Sequence, residues 1–308
     1  MSSRAETDDK PLRVFPITSG GARAVLLTSD GIRIEAEHLP MGAARPAGQP
    51  DGPAALVHAP DLGEQLAVVV AHGFTGALDR PAVRRVARHF SAYGGVITFS
   101  FRGHGRSGGR STVGDLEVLD LDAAVRWARE LGYGRVATVG FSMGGSVVLR
   151  HAGEAGAQEA LPAPGRPRQP PGSGLQAVVS VSSPARWYYR GTAPMRRVHW
   201  AITRPAGRLV SRYGLKTRIR AADWDPVPRS PVESVPYIAP TPLLIVHGDR
   251  DGYFPLDHPY SLAAAAGAAS AELWIVPGFG HAENAAEPAL LTRIGDWLTE
   301  RATGIPGN

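Results

Sequence analysis

The segment Gly140-Phe141-Ser142-Met143-Gly144-Gly145 has the pattern G-x-S-x-G and stands between an apolar run, Arg135–Gly140, and a helical pattern extending to about Ala152. A strand that turns sharply into a helix holds its serine in a strained conformation, and Cβ atoms at positions 140 and 144 would collide with neighbouring backbone. The Ser142 oxygen then projects at the helix N-terminus. There the Met143 N–H points to the space where negative charge develops on an attacked carbonyl. The plain alternative is a glycine-rich turn with an incidental serine, and the flanking strand and helix tell against it. A hydroxyl is a poor nucleophile without a base, and that base needs a carboxylate to orient it. Both lie downstream. Asp249 and Asp251 follow the apolar run Leu243–Val246, and His281 follows the run ending at Val276, with Gly278 and Gly280 beside it. The chain contains no cysteine, so thiolate metal sites, iron–sulfur clusters, disulfides and a cysteine nucleophile are excluded.

These groups need elements to position them. Apolar runs at Gln65–Ala71, Val96–Phe101, Arg135–Gly140, Gln176–Val181, Leu243–Val246 and Glu272–Val276 lack clean alternation, as strands covered on both faces do. Between them, Val83, Val86, Ala87 and Phe90 share one helical face, as do Leu121, Ala124, Val125 and Ala128, and later Leu290, Ile294, Trp297 and Leu298. Alternating strand and helix predicts an α/β fold with a doubly wound, mostly parallel sheet. Functional groups collect at the C-terminal ends of such strands, where Ser142, the acids and His281 all fall. Upstream, Ala24–Thr28 and Ile32–Glu37 flank Asp30-Gly31 and predict an N-terminal antiparallel hairpin. Residues 40–53 hold seven Pro or Gly and read as a surface loop.

The expected organisation is a flexible N-terminal tail at 1–23, a first core part at 24–183, an insertion at 184–241, a second core part at 242–300 and a tail at 301–308. Within the first part, 153–174 carries ten Pro or Gly in 22 positions and reads as a flexible excursion. The insertion, about 60 residues, is too long for an ordinary strand-to-helix connection and is expected to form a cap or lid.

Composition narrows the classes further. The 308 residues are 43% hydrophobic and 20% charged, which excludes whole-chain disorder. No apolar run nears the roughly 20 residues that span a bilayer, and Met1–Lys10 lacks a signal-like stretch, so the expected location is cytoplasmic. The net charge of +5 is concentrated: residues 184–230 hold ten Arg and Lys216 against Asp223 and Asp225, a local +9. Without a nucleic-acid-binding signature around it, that charge does not predict nucleic-acid binding. Trp187, Tyr188 and Trp200 are interleaved with the arginines and are candidate substrate-binding residues. The segment can attract an anionic substrate or lipid surface, or it is an amphipathic lid whose arginines are simply solvated. No clustered histidine spacing argues for a metal, and no cofactor is expected.

The chain resembles the α/β-hydrolases over about residues 65–300, in particular the capped esterase, lysophospholipase and serine-aminopeptidase-like branch. The order Ser142, Asp251, His281 is that family's order. Val70-Ala71-His72-Gly73-Phe74 is similar to its His-Gly-x oxyanion loop, which implies the Phe74 N–H as a second donor beside Met143. The family pattern H-G-x-x-D selects Asp251, four residues after His247, with Asp249 as a structural turn residue. Arg102-Gly103-His104-Gly105-Arg106-Ser107 is similar to the family's R-G-x-G-x-S turn near the site floor, but Ser100 stands where the family often has an acid. The resemblance implies a Ser-His-Asp serine hydrolase acting on a small-molecule carboxylic ester without a cofactor. The same triad also serves aminopeptidases, thioesterases and acyltransferases, and a more distant reading is a non-catalytic hydrolase-like binding protein.

Overall fold

The apolar runs form strands. The computed structural model describes residues 14–16, 21–43, 62–160, 174–267 and 271–303. Its strands are β1 (Val14–Pro16), β2 (Ala22–Leu27), β3 (Arg33–Leu39), β4 (Leu66–Ala71), β5 (Gly95–Phe99), β6 (Arg135–Phe141), β7 (Leu175–Val181), β8 (Leu243–Gly248) and β9 (Ala271–Val276). They make one sheet in the order β1-β2-β3-β5-β4-β6-β7-β8-β9. The pairs β1–β2, β2–β3 and β3–β5 are antiparallel, and the remaining pairs are parallel.

All six residues of β4 are buried because helices cover both faces. Ala67, Val69 and Ala71 face a core shared with Leu121 and Trp127 of α2 (Glu117–Glu130) and Val147 and Val148 of α3 (Met143–Ala160). Leu66, Val68 and Val70 face the opposite core, with Val86 and Phe90 of α1 (Pro81–Phe90) and Ile294 and Trp297 of α9 (Pro288–Thr303). Such burial is why β4 to β8 read as continuous apolar runs, whereas β9, expected to be covered in the same way, is an edge strand half-buried along its length. Between β7 and β8 lie α4 (Ala193–Thr203), α5 (Pro205–Tyr213), α6 (Pro231–Ser234) and a 3₁₀ turn (Val235–Tyr237). Between β8 and β9 lies α7 (Asp257–Ala266), and between β9 and α9 lies α8 (Ala282–Ala285). Among the described residues, no helix is long and apolar enough to cross a membrane.

The structure corrects three expected boundaries. Within the 1–23 tail, Val14–Pro16 forms an edge strand on β2, and β2 itself starts at Ala22. Proline suits an edge because it has no N–H to give to a further strand. The 153–174 excursion is helical as far as Ala160. Its first glycines serve close packing: a Cβ on Gly153 would lie 2.3 Å from the Ser234 carbonyl oxygen, and a Cβ on Gly156 would overlap that of Tyr237. At the other end, α9 continues to Thr303 rather than stopping near 301. Most of the 40–53 loop, residues 161–173 and residues 304–308 lie outside the described residues.

The sheet order places the functional loops together. Chain progression goes outward from β4 to β5 and then returns across β4 to β6, so the loops leaving β4 and β6 part at a topological switch point. Ala71 pairs with Gly140 at the strand ends, which sets His72–Phe74 beside Ser142.

Candidate active site

Ser142 sits between β6 and α3 with φ of 52°, a left-handed backbone that a non-glycine residue rarely adopts. Two close approaches hold it there. A Cβ on Gly140 would lie 2.2 Å from the Gly144 carbonyl oxygen, and one on Gly144 would lie 2.2 Å from that of Ala71. The Ser142 amide donates to the Val181 carbonyl at 2.8 Å. Met143 opens α3, so the partial positive charge of the helix N-terminus lies beside the serine oxygen.

His281 Nε2 lies 2.9 Å from Ser142 Oγ, and its Nδ1 lies 2.8 Å from Asp251 Oδ2. The Asp251 side chain is fully buried. Burial pushes its carboxyl up, but the His281 hydrogen bond and charge, with the amides of Tyr253 and Phe254, outweigh burial and hold it below its usual range. Those amides donate to Oδ1 at 2.8 and 3.1 Å. An ionised Asp251 can only accept, so Nδ1 of the neutral imidazole carries the proton and Nε2 presents its lone pair to the serine hydroxyl. Tyr253 stacks on the imidazole with ring centroids 4.1 Å apart. Of the two candidate acids, Asp251 touches the histidine. Asp249 accepts the Gly278 amide at 2.7 Å and ties together the loops after β8 and β9.

The loop after β4 is held by His72, which is buried. Its Nδ1 is 2.7 Å from the Gly73 carbonyl oxygen, and its Nε2 accepts the Phe101 amide at 3.1 Å. Because N–H and C=O point oppositely in a trans peptide, fixing the Gly73 carbonyl also aims the Phe74 N–H. Burial, reinforced by nearby His104, pushes the His72 imidazole down to about 3 and keeps it neutral.

Phe74, Ser142, Met143 and His281 line a cavity of about 710 Å³ together with Trp187, Tyr188 and Trp200 from the β7–β8 insertion. The sequence candidates therefore meet in one place. Trp187 packs edge-on against Trp224 at 5.1 Å and donates to the Pro228 carbonyl at 3.0 Å, while Tyr188 and Trp200 are half-exposed. Several arginines of the insertion have structural partners. Arg186 pairs with Asp257, and Arg196 and Arg208 donate to main-chain carbonyls near the start of α4 and at its end.

The acid missing at position 100 is replaced through space. Ser100 Oγ donates to Glu35 Oε1 at 2.8 Å and accepts the Leu78 amide at 3.0 Å, while Glu35 also accepts the Arg106 amide at 2.9 Å. Arg102, buried at the base of this turn, bridges Asp120 and Asp30 at 2.8 and 2.7 Å. Sequence reasoning also missed Glu283, whose Oε1 accepts the Gly73 amide at 3.0 Å from 210 positions away. Its only local signal is proximity to His281.

This arrangement can remove a proton from a serine hydroxyl. A sequence profile of the α/β hydrolase family matches residues 68–293, and the chain belongs to that family. Solved structures agree on the fold. The Pyrococcus furiosus esterase Pf2001 superposes with a TM-score of 0.64 at 20% identity, covering 95% of this chain and 99% of that one. A serine hydrolase without a lid from Xanthomonas campestris gives 0.54 at 19%, covering 96% and 99%. Est1E from Butyrivibrio proteoclasticus, solved with ferulic acid bound, gives 0.51 at 18%, covering 91% and 98%.

Proposed function

We propose that this protein is a serine hydrolase that cleaves a carboxylic ester of a small or lipophilic acyl group through an acyl-enzyme. The observation that carries the reading is the continuous hydrogen-bonded relay from Asp251 through His281 to Ser142, with the serine held at positive φ. His281 Nε2 takes the Ser142 proton as Oγ attacks the carbonyl. The Phe74 and Met143 amides receive the oxyanion, and the imidazolium is stabilised by Asp251. His281 then protonates the departing alkoxide, and water repeats the attack on the acyl-enzyme. Residues 184–241 act as the cap over the acyl or leaving-group pocket, to which Trp187, Tyr188 and Trp200 contribute aromatic walls. Esterase neighbours at about one-fifth identity fit this reading.

The test is turnover of p-nitrophenyl acetate, butyrate and octanoate beside a thioester and an aminoacyl anilide, by wild type and folded Ser142→Ala. Ester turnover lost in the variant supports the reading. Preference for the thioester or the anilide moves the protein to a thioesterase or aminopeptidase on the same triad. No turnover by folded wild type, with no acyl transfer to an added alcohol, favours the binding-protein reading.

The cap is also proposed to rest on anionic lipid. On α5 and the residues flanking it, exposed Leu209, Val210, Tyr213 and Leu215 stand among exposed Arg204, Arg212 and Lys216. Apolar area with surrounding cations is the combination that binds such surfaces. Co-sedimentation with phosphatidylglycerol vesicles, weakened by salt and absent with phosphatidylcholine, is the expected result. Equal binding to both vesicles contradicts it.

A further inference from the structure

One buried acid beside Ser142 has no part in the relay. Glu283 lies on α8, two residues beyond His281, is 5% exposed and lines the same cavity as Ser142. Its Oε1 accepts the Gly73 amide at 3.0 Å, and its Oε2 is buried with no partner among the described residues. The main chain around it is anchored as well. Arg85 of α1 donates to the Glu283 carbonyl oxygen at 2.6 Å, and the Ala282 amide, in a residue with φ of 56°, donates to Ser182 Oγ at 3.1 Å. A Cβ placed on Gly73 would lie 3.2 Å from Oε2, 3.3 Å from Oε1 and 3.3 Å from Ser142 Cβ, so the glycine, the acid and the serine close around one point.

Gly73 is the pivot between two peptide planes. The plane carrying the Phe74 N–H is fixed from one side by His72 Nδ1 on the Gly73 carbonyl. The plane carrying the Gly73 N–H is fixed from the other side by Glu283. A buried polar group left with an unused atom is costly and calls for a reason. We propose that Glu283 is a positioning residue of the hydrolase reaction, clamping the loop that carries the Phe74 donor to the short helix that follows the base His281. The proposal rests on the Ser142–His281 reading given above. It explains why an acid sits where a second negative charge would oppose the oxyanion: burial pushes the Glu283 carboxyl up, favouring the uncharged acid, and the ionisable groups facing it are His281 and Arg85.

The clamp needs an acceptor for the Gly73 amide and does not need a charge, so Glu283→Gln and Glu283→Leu have opposite expected outcomes. The glutamine variant keeps an acceptor and is expected to retain kcat within about threefold of wild type. The leucine variant fills the volume without an acceptor and is expected to lose about 10- to 100-fold in kcat with little change in KM, since losing a whole oxyanion donor costs about 10²–10³. A packing role alone predicts equal effects of both variants, and that result overturns the proposal, as does unchanged kcat in a folded Glu283→Leu. Hydrogen exchange of the Gly73 amide reads the clamp without any substrate. Protection is expected in wild type and Glu283→Gln and a loss of at least tenfold in Glu283→Leu. Equal protection in all three overturns the clamp even if wild type turns over esters. Inactivity of wild type with the exchange pattern intact leaves the clamp standing and removes only the ester reading.

Discussion

Through His72, acidification should weaken the fold before it discharges most carboxylates. His72 is fully buried, donates from Nδ1 to the Gly73 carbonyl and accepts the Phe101 amide at Nε2, so a second proton would destroy the Phe101 bond. Its imidazole falls from an ordinary 6.5 to about 3 in the fold. The unfolded chain therefore binds the proton more readily than the native one. The corresponding stability is complete above about pH 6.5 and is lost as the pH falls toward about 3. At 1.36 kcal/mol per pH unit the full loss is about 5 kcal/mol, and about 2.7 kcal/mol of it is gone by pH 4.5. Urea denaturation at pH 7.5 and 4.5 measures the change. Because His258, pushed down mainly by burial to about 4, contributes over the same interval, the comparison is with His72→Gln, which cannot titrate but can still accept from Phe101. Wild type is expected to lose about 2–3 kcal/mol more than the variant. Equal losses, or an NMR titration of His72 with a midpoint near 6.5, would mean that His72 does not couple folding to pH.

Arg102→Met leaves Asp120 buried without its cation and is expected to lower the unfolding free energy by about 3–5 kcal/mol, read by urea denaturation. Gly144→Ala drives a Cβ to 2.2 Å from the Ala71 carbonyl oxygen, so ester turnover is expected to fall by about 100-fold as the serine and its donors move apart. Trp200→Ala removes an aromatic wall of the cavity, so kcat/KM is expected to fall about 3- to 10-fold more for octanoate than for acetate esters. A uniform loss across chain lengths would place Trp200 outside the acyl path.

The residues that were legible share a physical feature: each announces itself within its own loop. Ser142 lies between a strand and glycines that only close backbone contact requires; Asp251 comes shortly after β8, which burial on both faces makes an apolar run, and His281 comes shortly after β9, an edge strand half-buried along its length. The hairpin, the parallel strands and the helices of the core follow from the same periodicities. What stayed hidden depends on partners distant in the chain. Ser100 looks like a missing acid until Glu35 is seen 65 positions away, and Glu283 looks like an ordinary helix residue until Gly73 is seen on its carboxyl. Gly153 and Gly156 read as helix breakers although they admit the Ser234–Tyr237 backbone against α3. The insertion's positive charge also overstates its freedom, because Arg196, Arg208 and Arg218 are engaged with main-chain carbonyls.

Covalent labelling shows whether Ser142 is the residue that His281 activates. Wild type, Ser142→Ala and His281→Ala, each verified as folded, are treated with a fluorophosphonate and the adduct is located by peptide mass spectrometry. One adduct on Ser142 is expected in wild type, none in Ser142→Ala, and labelling slowed by at least 100-fold in His281→Ala. An unlabelled wild type, or an adduct on another residue that persists in Ser142→Ala, would contradict that activation.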